Sequence, residues 1–99
     1  MELCLKKRLT ISEKKRHYVN IPSKNIALFP KPEVEFIVII NNKKIKTYID
    51  QYKRLRLGSR IFNELFLDSP DSVIIIEKDS KGNYVIKKSK NSVWKFIIF

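Results

Sequence analysis

Two aspartates and a lysine in the second half of the chain have the order found in metal-dependent nucleases. Asp71 is followed by Asp79 and Lys81, and such enzymes use two carboxylates to hold Mg²⁺ and a lysine to polarise the phosphodiester. Nuclease sites place the second carboxylate and the lysine within a central strand, whereas residues 79–83 (DSKGN) have the composition of a hairpin turn. We therefore interpret these residues as turn residues and predict no catalytic and no metal-binding residue.

Other catalytic chemistry has few residues to use. His17 is the only histidine, which excludes a histidine metal cluster and a triad that needs two histidines. A Cys4–His17 dyad lacks an orienting acid, and Cys4 lies in an apolar strand pattern. With only Gly58 and Gly82, the chain cannot build a glycine-rich phosphate loop. The sequence predicts a protein that is not an enzyme and needs no cofactor.

The charge of the chain is large and uneven. The net charge is +11. Residues 1–60 hold 15 of the 21 basic residues, including all five arginines, but only 5 of the 10 acidic residues. A charge of this size attracts polyanions. The planar guanidinium suits phosphates and guanine edges better than a lysine ammonium does. The clustering therefore predicts a binding face for nucleic acid.

The cysteine content and the hydropathy pattern indicate a compartment. A single cysteine, Cys4, excludes an internal disulfide and fits a reducing environment. Apolar and polar residues alternate at the start of the sequence, which soon becomes basic, unlike a signal peptide. No apolar run approaches the roughly 20 residues of a membrane span. We predict a cytoplasmic protein that does not bind membranes.

A pattern that occurs twice organises the chain. Residues 18–26 and 54–62 both have an alternating apolar strand, a Pro-Ser or Gly-Ser break, and then apolar spacing for about two helical turns. In both copies a Pro-acid turn, a β-branched run, a polar hairpin turn and a closing strand follow. A fixed internal period indicates repeated units that share a core.

These signals predict one domain over residues 1–99. It is mostly β with two short α-helices: a single-chain, pseudo-twofold β-barrel built from two β-α-β-β repeats. Repeat one covers about residues 16–49, repeat two about residues 52–88, and residues 89–99 form an apolar C-terminal strand or tail. A first strand precedes repeat one, with Leu3, Leu5 and Leu9 on one face. The basic loops 12–17 and 50–54 enter equivalent strands, so we expect them at the same end of the barrel.

Three stretches resemble the DNA-binding pseudobarrel superfamily, which includes B3-like domains, AbrB-like regulators and recognition domains of restriction endonucleases. They are residues 16–22 (RHYVNIP), 52–58 (YKRLRLG) and 67–75 (LDSPDSVII), and the similarity covers about residues 4–88. B3-like domains grip the major groove with two arms. The resemblance implies an N-arm at residues 12–18 and a C-arm at residues 50–56, the same basic loops. The tail 89–99 departs from the pattern of the superfamily.

The expected function is non-catalytic binding of double-stranded DNA through these two arms, as a small regulator or as the recognition module of a restriction system. Tyrosines flank both basic clusters, where they could pack on sugar, stack on an unpaired base or shield the barrel rim. The candidates for phosphate contact are Lys14, Lys15, Lys24, Lys53 and Arg60; those for base edges are Arg16, His17, Asn20, Gln51, Arg54 and Arg56; the tyrosines are Tyr18 and Tyr52.

An alternative function uses the same charge differently. A basic module that binds RNA or an acidic protein would assemble through the aromatic tail, in which Trp94, Phe96 and Phe99 offer a surface for a homodimer or for a separate catalytic protein. The tail could equally be a final strand that covers the barrel. Preference for duplex DNA over single strands and RNA separates the two functions.

Overall fold

A computed structural model describes residues 1–66 and 73–88, so Asp71 and the tail 89–99 lie outside the described residues. The elements confirm a mostly β fold with two α-helices. The strands are β1 (Glu2–Arg8), β2 (Tyr18–Asn20), β3 (Phe36–Ile40), β4 (Lys43–Thr47), β5 (Arg54–Arg56), β6 (Val73–Lys78) and β7 (Tyr84–Lys88), the helices are α1 (Ile11–Arg16) and α2 (Ser59–Phe66), and a 3-10 turn covers Ile26–Leu28.

Five strands form a mixed sheet in the order β1-β6-β7-β3-β4. The β3–β7 pair is parallel and the other three pairs are antiparallel. The β-branched runs of β3 and β6 supply the apolar side of this sheet: Val38, Ile40, Ile74 and Ile76 are at most 2% exposed. β-Branched side chains pack well on a pleated surface, which explains why these runs form the sheet.

The two predicted hairpin turns are confirmed. Asn41 and Asn42 join β3 to β4 with φ angles of 50° and 66°, and the tight hairpin turns favoured between antiparallel strands need such positive angles. Between β6 and β7, Asp79 Oδ1 accepts the backbone N–H groups of Lys81 and Asn83 at 2.9 and 2.8 Å. The N–H groups of Asn83 and Lys81 hold the pKa of this carboxyl below its ordinary value. Asp79 is therefore a turn-forming residue.

The short strands β2 and β5 pair separately as a two-stranded antiparallel ribbon, called here the β2–β5 ribbon. At its centre Val19 faces Leu55, thirty-six positions later, and both side chains are fully buried in the core. The ribbon is tied to the end of β4: the Thr47 hydroxyl donates to the Arg56 carbonyl, and the Asp50 N–H donates to the Arg54 carbonyl at 3.0 Å. Because residues 18–20 pair with residues 54–56, thirty-six positions later, the ribbon has the two-fold symmetry expected of a 36-residue repeat. The division of the whole chain into two repeats stays a prediction.

The helices differ from the prediction in one half of the chain. Helix α2 follows Gly58-Ser59 as predicted, but the helix expected after residues 22–23 is only the 3-10 turn. Pro30 forces the preceding residue out of the helical region, and Phe29 is extended, with φ −118° and ψ 163°. The predicted loop at residues 12–17 is instead α1, because Thr10 and Glu13 cap its N-terminus reciprocally.

A β-bulge changes the expected faces of β1. The register shifts between Leu3 and Leu5, so that Cys4 and Leu5 are both buried while Leu3 is 55% exposed. A bulge adds one residue to a strand and so turns the following side chains to the other face. Burial raises the pKa of the Cys4 thiol, which favours the unreactive protonated form.

Candidate nucleic-acid interface

The polar face of the β2–β5 ribbon brings together candidate residues from both predicted arms. Tyr18 lies opposite Arg56 and Asn20 lies opposite Arg54, and side chains directly opposite in an antiparallel pair are close neighbours. Asn20 and Arg56 are exposed, Arg54 is partly buried and Tyr18 is buried. The N-arm and the C-arm thus meet on one surface.

A buried carboxylate holds both arginines of this face. Asp50 Oδ2 accepts Arg54 Nε at 3.0 Å and Arg56 Nε at 3.2 Å, while its Oδ1 accepts the backbone N–H groups of Tyr52 and Arg54 at 2.8 and 3.0 Å. Burial by itself would raise the pKa of Asp50. The N–H groups of Arg54 and Tyr52 and the Arg54 guanidinium outweigh burial and hold the pKa below its ordinary value. Asp50 is therefore an anion at neutral pH and orients two cations.

The rings of Tyr18 and Tyr52 also contact the two arginines. The guanidinium carbon of Arg54 lies 4.8 Å from the ring centre of Tyr52 and 5.4 Å from that of Tyr18, and the Arg56 carbon lies 5.9 Å from the Tyr18 ring centre. Such cation–π contacts favour one arrangement of a long side chain. Tyr18 is 8% exposed and shields the ribbon, whereas Tyr52 is 69% exposed and offers its ring to solvent.

Lys53 connects the C-arm to the turn that follows β2. Its φ angle is 62°, its carbonyl accepts the Ile21 N–H at 2.8 Å, and its Nζ donates to Ser23 Oγ at 2.8 Å. Lys24, next to Ser23, is exposed, as is Gln51 in the same tight turn as Lys53. The structure therefore places Lys53 beside the Lys24 turn, at the end of the ribbon.

Glu13 anchors the N-arm to the ribbon. Its carboxylate is fully buried and accepts Lys7 Nζ at 2.7 Å, the Asn20 N–H at 2.7 Å and the Thr10 N–H at 2.8 Å. Burial would raise the pKa of Glu13, but the hydrogen bond from Lys7 and the N–H groups of Thr10 and Asn20 reverse that and lower it. One side chain thus joins β1, α1 and β2.

The N-arm itself is the helix α1. Lys15 and Arg16 are exposed and Lys14 is partly buried, all in the last turn, where positive charge is favoured by the helix dipole. His17 ends the helix with a φ angle of 63°, and its ring meets Phe62 of α2 edge-on at 5.7 Å. His17 therefore packs toward α2 rather than extending into solvent.

Arg60 lies apart from the ribbon, exposed in the first turn of α2. The structure thus gathers Tyr18, Asn20, Arg54 and Arg56 on one face of the β2–β5 ribbon, with both arginines bonded to Asp50. It places the remaining candidates on flanking elements: Lys14, Lys15, Arg16 and His17 on or after α1, Lys24, Gln51, Tyr52 and Lys53 in turns, and Arg60 on α2.

Sequence reasoning missed the two buried acids that organise the interface. Glu13 had a visible signal, because Thr10-x-x-Glu13 is the capping-box spacing. Asp50 had a weaker one: Arg54 and Arg56 share a strand face with each other, but nothing local indicates that an aspartate in the preceding turn reaches that face. Within residues 1–66 and 73–88, no three His, Cys, Asp or Glu side chains are grouped so that they could hold a metal ion.

The comparisons with known proteins define a fold. The chain is similar to the N-terminal domain of Helicobacter pylori LlaJI.R1, with a TM-score of 0.66 and 16% identity over 100% of both chains. At that identity the likeness shows the shared fold. No protein-family model matches the sequence, and no curated protein does. None of the helices in the described ranges is long and apolar enough to cross a membrane.

Proposed function

We propose that this protein binds double-stranded DNA without cutting it, as the recognition module of a restriction system or as a small regulator. The observation that carries the proposal is the polar face of the β2–β5 ribbon. There Asp50 holds Arg54 and Arg56 side by side, beside Asn20. Arginine and asparagine are the side chains that pair bidentately with guanine and adenine edges.

The flanking cations support a clamp around the ribbon. The basic residues of α1 lie on one side, because Glu13 ties that helix to Asn20 of β2. Lys53 and Lys24 lie at the turn that follows β2. In protein–DNA complexes, contacts to phosphates position the protein and contacts to base edges give specificity. The ribbon and its flanks have these two kinds of side chain.

The first test is the salt dependence of duplex binding. If the five phosphate candidates each neutralise one phosphate, the slope of log K against log salt is expected to be about −4.5, since each contact contributes about −0.9. Fluorescence anisotropy of a labelled random-sequence duplex at several salt concentrations measures it, with matched single-stranded DNA and duplex RNA alongside. Tight, salt-steep binding that favours duplex DNA supports the proposal.

The alternative function predicts the opposite ranking. The Tyr52 ring is 69% exposed, which suits stacking on an unpaired base. If single-stranded DNA or RNA binds as tightly as duplex DNA or more tightly, the RNA-binding alternative replaces duplex recognition. Weak binding of all three nucleic acids would contradict duplex recognition and RNA binding, and would leave the acidic protein of the alternative function as the partner.

The absence of cutting is tested separately. Asp79 uses its Oδ1 to form the β6–β7 turn, which supports a structural role for this acid. Supercoiled plasmid incubated with the protein and Mg²⁺ is expected to stay intact on an agarose gel. Nicking by the wild-type protein that disappears in Asp79→Ala would show a nuclease and overturn this part of the proposal.

A further inference from the structure

We propose that Arg56 reads a guanine in the major groove with the tip of its guanidinium, and that Asp50 is the positioning residue that enforces this approach. The inference rests on the proposed duplex binding; it also names the base that is read and the edge of the Arg56 guanidinium that contacts it. It follows from the hydrogen bonds of one carboxylate and from the unequal burial of the two arginines that it holds.

The shape of the ribbon suits the major groove. The groove is wide enough for a two-stranded β-ribbon, and β2 and β5 form such a ribbon, with Val19 and Leu55 buried on its inner face. The outer face carries Asn20 and Arg56, both exposed. Base edges in the groove would therefore meet side chains of this face first.

The Asp50 bond leaves one approach to a base. A guanidinium can use its side edge, with Nε and one Nη, or its tip, with both Nη groups, to bind two acceptors. In Arg56 the Nε is held by Asp50 Oδ2 at 3.2 Å, so the side edge is engaged and the tip still carries four N–H donors. Guanine presents two adjacent acceptors, O6 and N7, in the major groove, and no other base does.

Burial separates the roles of the two arginines. The Arg54 side chain is 25% exposed and lies against the rings of Tyr18 and Tyr52. The Arg56 side chain is 45% exposed. Arg54 therefore supports the carboxylate and keeps the cluster rigid, while Arg56 extends toward the ligand.

The experiment needs a preferred duplex, obtained by selecting the wild-type protein on a random-sequence pool. Each guanine of that duplex is then replaced in turn by 7-deazaguanine, which lacks the N7 acceptor. One replacement is expected to weaken wild-type binding about 5- to 100-fold. In Arg56→Lys the same replacement should weaken binding by a smaller factor than in the wild type, because the ammonium is a compact point charge without the planar fork that fits N7 and O6 together.

Arg8→Lys is the matched control, since it makes the same substitution at an exposed arginine of β1 that is not a binding candidate and should keep the wild-type response to 7-deazaguanine. Both variants preserve charge, so their salt slopes should equal that of the wild type. Urea denaturation with a wild-type midpoint shows that they are folded. Salt-steep duplex binding with no sensitive guanine, or full sensitivity in Arg56→Lys, would overturn the inference and leave the proposed function standing. If the wild type does not bind duplex DNA more tightly than single-stranded DNA and duplex RNA, both the inference and the proposed function are overturned.

Discussion

Replacing Glu13 by alanine is expected to lower the free energy of unfolding by about 3–5 kcal/mol, measured by urea denaturation at neutral pH. The carboxylate is fully buried and accepts Lys7 Nζ and the backbone N–H groups of Thr10 and Asn20. Its removal leaves two backbone donors without their acceptor, which is costly. The partly buried Lys7 ammonium keeps its hydrogen bond to the Asn20 carbonyl at 3.1 Å but loses its counter-charge. The helix α1 also loses half of its capping box.

Glu35→Ala is the control for this prediction, because Glu35 is exposed and its loss should change stability by no more than about 0.5 kcal/mol. A loss below about 1 kcal/mol for Glu13→Ala would mean that α1 is not anchored by this residue. The pH dependence has a definite sign. Because folding lowers the pKa of Glu13, its contribution is present at neutral pH and is lost as the pH falls below the ordinary glutamate value of about 4.3.

Glu13→Gln separates that contribution from the one made by Asp50. Asp50 also has a lowered pKa, and it titrates in both the wild type and the variant. The variant should therefore be less stable at neutral pH but lose less stability on acidification than the wild type. If the stabilities of the two proteins fall in parallel as the pH is lowered, the ionisation of Glu13 does not contribute to the pH dependence of folding.

Duplex affinity is expected to fall about 5- to 150-fold when Arg54 and Arg56 are both replaced by glutamine, since an arginine that contacts a base, as proposed for Arg56, contributes about 1–3 kcal/mol. Anisotropy titrations on one duplex at one salt concentration measure the loss. The reason is geometric as well as electrostatic: Asp50 and Tyr18 hold the two guanidinium groups on one face of the ribbon.

The matched control replaces Lys44 and Lys46 of β4 by glutamine. Both lysines are exposed, and this variant also loses two of the eleven net positive charges. It should weaken binding by less than about 3-fold if position rather than total charge decides. Equal losses in the two double variants would contradict the ribbon as the binding face.

Removing both arginines also strips Asp50 Oδ2 of its partners, so the fold must be checked independently. A triple variant that adds Asp50→Asn removes the unpaired buried charge while Oδ1 can still accept the N–H groups of Tyr52 and Arg54. If the triple variant regains wild-type stability and still binds weakly, the loss of affinity belongs to the arginines. Recovery of duplex affinity in the triple variant would show that misfolding had caused the loss.

Local signals were sufficient for the turns and for α2. The Asn41-Asn42 turn and the 79–83 turn contain residues that tolerate positive φ or bond their own backbone, and the structure has both hairpins. Helix α2 begins at Ser59, directly after Gly58, where the Gly-Ser break predicts a helix start. The interior faces of β3 and β6 follow from their β-branched runs.

The remaining elements depend on contacts that the sequence does not show. Helix α1 has six residues, too few to be stable alone, and it exists because Glu13 reaches Lys7 and Asn20. In the 3-10 turn, Ile26 and Phe29 are three residues apart, a spacing that fits a 3-10 turn as well as an α-helix. The arginine cluster likewise depends on the fold, because the Tyr18 ring reaches Arg54 and Arg56 only after β2 and β5 pair.

The pairing of β1 with β6 has a kinetic consequence. Arg8 pairs with Val73 and Glu2 with Lys78, so more than sixty residues lie between the partners. Closing such a loop costs about 2–3 kcal/mol more chain entropy than closing the β3–β4 hairpin. β1 leaves the ribosome before β6 and stays unpaired until β6 follows. Folding is thus set by that long-range step rather than by the hairpins.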